Sequence, residues 1–200
     1  MATRRLRGPL ELHDIWNLAA LGTLNVCHIG WWCGALAGSS RALSWLFWAD
    51  AAYLVADCGW LLLVPGCVPA ASRNTLLIHH LLVCALVPIA AGKPVLMAHL
   101  LRVWCVEIHS WNHIAARQFS STRIGAVARH INKPLFVALR LLYFPTSWFP
   151  YAAERAALPA AVAAAHAPPA LHRCLAVAHL AMYGLMLKWG SGLLRGARSS

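Results

Sequence analysis

Six acidic residues occur in this 200-residue chain, and two of them, Asp50 and Asp57, stand seven apart in one apolar run. Seven residues is almost two helical turns, so the two carboxyls fall nearly on one face, with Tyr53 beside them at i+3. The next apolar run carries the adjacent pair His79-His80, the following one carries His99, Arg102, Glu107, His109 and His113, and a later one carries Arg140. Adjacent imidazoles lie about 100° apart around a helix, so one can face an acid while the other faces a cavity. A histidine oriented by a carboxylate is the arrangement that proton transfer uses, which makes His79, His80 and Asp57 the candidate catalytic residues. His109 and His113 share a helical face and, with His79-His80, would also suit a metal. The further histidine boxes of membrane di-iron enzymes are missing, and no metal site is assigned. A proton relay through Asp57, His79 and Glu107 would suit a transporter, but the sequence shows no internal repeat and no matched pair of broken helices.

The elements that must position these groups are membrane helices. The chain is 60% apolar with a mean hydropathy of +0.59, which is too greasy and too poor in charge for a soluble domain of this size. Its net charge of +11 does not point to nucleic acid, because the basic residues are scattered between apolar runs. The seven cysteines occur singly, with no CxxC spacing, so neither a disulfide framework nor a zinc ribbon is indicated. Arg4, Arg5 and Arg7 precede the first apolar run, and Ala35-Leu36-Ala37 resembles a signal-peptidase site. That run is too long for a signal-peptide core and contains Asn17, Asn25 and His28, so it reads as an uncleaved first helix.

Apolar stretches of about 20 residues fall near 15–37, 43–65, 74–92, 94–117, 133–153 and 171–190. The expectation is an all-α polytopic bundle of six transmembrane helices. It divides into a basic tail with the first helix (1–42), a helical core (43–190) and a short basic tail (191–200). Gly38-Ser39-Ser40, Pro65-Gly66 with Pro69, Gly92 before Pro94, Lys133-Pro134 and Pro168-Pro169 supply the breaks. The very short third-to-fourth connection predicts a helical hairpin. The Ala- and Pro-rich stretch 152–170 fits a linker, an interfacial helix or a re-entrant segment equally well. Counting Lys and Arg on alternate sides gives eleven against four, with Arg102 and Arg140 inside spans, so both termini are expected in the cytosol.

A charge at mid-bilayer costs about 2.5 to 3.5 kcal/mol on insertion scales, so each retained ionisable group needs a partner or a purpose. Counted at about 1.5 Å per residue from the cytosolic ends, Asp57 and His109 lie about 12 Å deep, His79 and His80 about 8 to 9, Glu107 about 15 and Arg140 about 10. These residues are expected in one layer. Asp50 and Arg102 both come out at about 22 Å, which makes them candidates for a cross-helix ion pair. Histidines 28, 130, 166, 172 and 179 show no partner pattern.

At these positions the chain resembles the TLC-domain family, membrane proteins that include ceramide synthases and other lipid-handling proteins. The resemblance rests on Asp50, Tyr53 and Asp57 in one helix, the His79-His80 pair opening the next, and the segment Glu107-Ile108-His109-Ser110 running on to Asn112 and Arg117. A helix from Lys133 to Arg140 follows, and the match covers roughly 43–150 in the family's order. It implies lipid metabolism or homeostasis in the endoplasmic reticulum membrane, with membrane lipids as partners and a homo-oligomer compatible. In the ceramide-synthase branch the histidine pair is implicated in acyl transfer from acyl-CoA to a sphingoid amine. By that resemblance His79 or His80 would be the base or acyl acceptor, Asp57 its orienting acid, and acyl-CoA a co-substrate, with no bound cofactor. Asp50, Tyr53, Arg102, Glu107, His109, Ser110, Asn112 and Arg140 would form a substrate-binding or structural polar layer. The chain has His79-His80-Leu81-Leu82-Val83 where ceramide synthases resemble His-His-x-x-Thr, and it lacks their downstream Asp-rich segment. Other family members are linked to lipid transport or membrane composition without an established reaction, which is the alternative expectation.

Overall fold

The computed structural model describes residues 8–34, 39–64, 66–166 and 168–195, and these form helices with no strand. Arg4, Arg5, Arg7, Ala35-Leu36-Ala37, Gly38, Pro65 and Arg198 lie outside the described residues. The helices are α1 (Pro9–Trp32), α2 (Ser40–Leu63), α3 (Ala70–Ala90), α4 (Pro94–Val103), α5 (Glu107–Gln118), α6 (Arg123–Phe136), α7 (Phe144–Thr146), α8 (Trp148–Ala156), α9 (Ala160–His166) and α10 (Pro169–Arg195). A 3-10 turn, Trp104–Val106, joins α4 to α5, and a π-helical stretch, Val137–Tyr143, joins α6 to α7. Three helices are long and apolar enough to cross a membrane: Ser40–Leu63, Ser72–Ala90 and Pro169–Ser191. The chain is therefore an all-helical protein with the composition of a membrane protein.

Local chemistry sets several boundaries. Ser39 caps α2 by accepting from the Ala42 amide at 3.1 Å, and Thr122 caps α6 by accepting from the Gly125 amide at 3.2 Å. Pro9 and Pro94 occupy first-turn positions of α1 and α4, where a missing N–H costs no helical bond. Gly92, with φ of +73°, makes the turn in the three-residue link between α3 and α4, in line with the short connection read from sequence. Gly125 serves close approach: a Cβ there would lie 1.9 Å from the Phe119 carbonyl oxygen, so the α5–α6 turn can close only over glycine.

The boundaries differ from the sequence reading in three places. Helix α1 begins at Pro9 rather than near 15, so Glu11, His13 and Asp14 are helical. Helix α6 begins at Arg123, ten residues before the apolar stretch, because residues 123–136 are amphipathic and pack on one face only. Pro134, read as a break, sits inside α6, and a π-helical stretch, Val137–Tyr143, follows it. Residues 152–170 are helical in two short pieces, α8 and α9, followed by the start of α10.

Helix α1 packs on α2 and α5, and α2 packs on α3 and α4. One core cluster joins Leu46, Phe47, Leu96, Met97, Leu101, Tyr151 and Leu175 from α2, α4, α8 and α10. Another joins Leu21, Leu24, Tyr53, Leu54 and Trp104, binding α1 to α2 and to the 3-10 turn. The Trp111 indole N–H donates to the Leu18 carbonyl at 3.0 Å, tying α5 to α1. These contacts leave one end of the bundle open between α1, α2, α3, α5, α6 and α10, and the polar residues collect there.

Candidate functional site

Helix α1 presents His13, Asn17, Leu21, Leu24, Asn25 and His28 on one buried face, at the three-to-four spacing of a helix side. That face meets the Asp50–Asp57 side of α2. His13 Nε2 lies 2.7 Å from Asp57 Oδ1, and His28 Nε2 lies 3.0 Å from Asp50 Oδ2. The early histidine meets the late aspartate and the late histidine the early one, as neighbouring antiparallel helices require. Asn17 adds a contact to His13 Nε2 at 3.0 Å and a longer one to Asp57 Oδ1 at 3.4 Å, and the Tyr53 hydroxyl donates to Asn17 Oδ1. The seam between α1 and α2 is thus a chain of buried hydrogen bonds running from Tyr53 through Asn17 and His13 to Asp57.

The free oxygen of Asp57 turns to α3. His80 Nδ1 lies 3.1 Å from Asp57 Oδ2, an ion-pair distance whose angle is not that of a hydrogen bond. Asp57 is therefore shared by two imidazoles, one from α1 and one from α3. His79 does not reach it; its ring stands 5.2 Å from that of His80 and 5.8 Å from Trp189. The adjacent histidines divide as their angular separation dictates, one to the acid and one to the opposite wall.

A cavity of about 570 Å³ lies against this cluster. It is lined by Asp57, His79, His80, Glu107, His109 and Arg140, the six residues expected in one layer, and also by Tyr53, Ser110, His113 and Arg117. The volume is within the range of pockets that hold small ligands. On its α5 and α6 side, Arg140 donates to Ser110 Oγ at 2.6 Å and sits over the Trp189 ring at 5.5 Å. The π-helical turn carries Arg140 into the interior, where only 6% of it is exposed. A second, mostly apolar cavity of about 100 Å³, lined by residues such as Leu54, Leu86, Leu96 and Met182, shares His79 and Glu107 with the first.

Two expected contacts are corrected. Asp50 does not pair with Arg102: it meets His28, and Arg102 forms a forked pair with Glu154 of α8, one arm at 3.0 Å. His28 lies in the first apolar run without a partner pattern in the sequence, and Glu154 falls just past the 133–153 stretch. Asn112, placed in the polar layer, does not line the cavity; it donates to the Ala128 carbonyl at 3.0 Å and to Asn132 Oδ1 at 3.2 Å, holding α5 to α6. His109 and His113 stack at 6.2 Å, and among the described residues no three His, Cys, Asp or Glu side chains are grouped so as to hold a metal ion.

His13 was missing from the candidate set, although it makes the shortest contact to Asp57. Its signal was present: His13, Asn17 and His28 repeat on one face of an otherwise apolar helix. Asp14 was missed as well. It is buried and accepts from Arg117 Nε at 2.8 Å and from Gln118 at 2.7 Å, closing the cavity rim. No family model, no curated protein and no solved structure matches the chain.

Proposed function

We propose that the chain is a lipid-handling membrane protein of the TLC type, with about six membrane-embedded helical segments, both termini in the cytosol, and an acid–base site at Asp57 and His80 open to a lipid headgroup. The carrying observation is that Asp57 is pinned by His13 and Asn17 and presents its second oxygen to the Nδ1 side of His80, which lines the cavity. A carboxylate on one imidazole nitrogen leaves the other free to take a proton, the division of labour found in base–acid pairs. The adjoining apolar cavity supports an amphiphilic occupant rather than a wholly polar one.

Acyl transfer from acyl-CoA to a lipid amine is the reaction this arrangement serves best. The amine nitrogen attacks the thioester carbonyl while His80 Nε2 accepts its proton; the carbon–sulfur bond then breaks, and the proton passes to the departing CoA thiolate. The amide and free CoA thiol are the products. His80 is the base, while Asp57 and His13 are positioning residues. The endoplasmic reticulum membrane, where acyl-CoA and lipid amines meet, is the proposed location.

A second reading, noncatalytic lipid binding or control of membrane composition, is favoured by one feature: most of the cluster's hydrogen bonds run between protein groups, as in a structural seam. Microsomes containing the full chain, given labelled acyl-CoA and a panel of lipid amines, separate the two. Transfer requires an N-acylated product whose formation falls by about 10²-fold or more in His80→Ala. If no product appears, or if His80→Ala makes it equally well, the transfer reading is wrong.

A further inference from the structure

Among the described residues the buried acids are matched, and so is the partly exposed Arg102. Asp50 has His28, Asp57 has His13 and His80, Asp14 has Arg117, and Arg102 has Glu154. Two charged groups in the polar cavity, Arg140 and Glu107, feel each other's charge but form no ion pair. Arg140 is the only Lys or Arg classed as buried among the described residues, and no carboxylate lies within ion-pair distance of it. Its Nη2 is used by Ser110 and, at 3.5 Å, by the Val106 carbonyl, but Nε has no partner. Glu107 lines the same cavity, one turn before Ser110, and forms neither an ion pair nor a hydrogen bond among the described residues. Two opposite charges thus share one chamber without meeting.

An uncompensated guanidinium in an apolar surround is costly, and proteins that retain one supply it with a counter-charge. Here the protein supplies none at contact distance. A ligand bearing both signs would serve both groups at once, with its anion on Arg140 and its cation on Glu107. The neighbouring apolar cavity, which shares His79 and Glu107 as lining, would take the first few carbons of an alkyl chain. We infer that the polar cavity binds a zwitterionic amphiphile whose head carries a phosphate and an amine, with Arg140 holding the phosphate and Glu107 the amine. This rests on the lipid-handling reading of the same cavity and names its substrate class. The amine would then be the group brought toward His80.

Binding is measured without any acyl donor, so the result stands apart from turnover. The full chain in neutral maltoside micelles is titrated with four single-chain lipids of one chain length: lysophosphatidylethanolamine, lysophosphatidate, a long-chain amine and a monoacylglycerol. Inorganic phosphate is a fifth probe. The zwitterion is expected to bind at least tenfold tighter than any other probe. Arg140→Met removes its advantage over the amine, and Glu107→Gln removes its advantage over lysophosphatidate. Equal binding of all four lipids by the unmodified protein overturns the inference even if neither variant folds. So does inorganic phosphate matching the zwitterion, which would make the site one for a free anion, or a water bridging Arg140 and Glu107 undisturbed by any lipid. If zwitterion binding is found and no acyl transfer is seen, the catalytic step fails while this assignment stands. Transfer abolished by His80→Ala, with binding indifferent to Arg140→Met, is the opposite case.

Discussion

The two walls of the polar cavity are built on opposite plans. On the α1–α2–α3 wall, Tyr53, Asn17, His13, Asp57 and His80 are held to one another at contact distance. On the α5–α6 wall, Glu107 makes no such contact, His109 leaves both ring nitrogens unpartnered, and Arg140 is held only through Ser110 and a backbone carbonyl. A buried polar group without a partner costs about 1 to 3 kcal/mol, and more when charged. The first wall escapes most of that cost, with only the Nδ1 atoms of His79 and His80 left without a hydrogen bond, and should be the more rigid. The second bears it in the free protein, and that is the wall a ligand can reward. In the proposed function, one wall orients chemistry and the other selects what enters.

Substitutions should therefore affect the two walls differently. The largest stability loss is expected for Asp57→Ala, which strands His13, Asn17 and His80 together. Removing one member of a buried pair costs about 3 to 5 kcal/mol, to be read from thermal unfolding in micelles. Asn17→Ala should cost less, about 1 to 3 kcal/mol, because it breaks a hydrogen-bonded link between Tyr53 and His13 without freeing a charge. Glu154→Gln, at a half-exposed pair with Arg102, should cost no more than about 1 kcal/mol. Smallest of all is Arg140→Met in the lipid-free protein, where little net loss of thermal stability is expected, since the substitution gives up the Ser110 bond but also removes a buried charge that has no ion-pair partner. A large loss there would mean that Arg140 is structural and that the contrast between the walls is false.

Much of this arrangement was legible in the sequence. The costly residues 57, 79, 80, 107, 109 and 140 were expected in one layer, and all of them line one cavity. Charge in an apolar run is rare enough that depth alone groups such residues. Partner identity was harder. Equal depth makes Asp50 and Arg102 candidates for a pair, yet depth carries no information on which helix faces which. The α1–α2 packing gave Asp50 to His28 instead. His13 escaped notice because the first helix was begun near residue 15, leaving out the turn that holds it. Helix ends are the least reliable part of any pattern reading. The π-helical turn that carries Arg140 inward has no sequence signature of its own, although Pro134 stands just ahead of it.

The account stands on the claim that this cavity holds a membrane lipid. The direct measurement is native mass spectrometry of the full chain released from gently solubilised membranes, alongside Arg140→Met and Glu154→Gln. One retained lipid with a phosphate and an amine in its head is expected, lost in Arg140→Met and kept in Glu154→Gln. A protein that emerges without lipid, or that keeps the same lipid in all three forms, would contradict it.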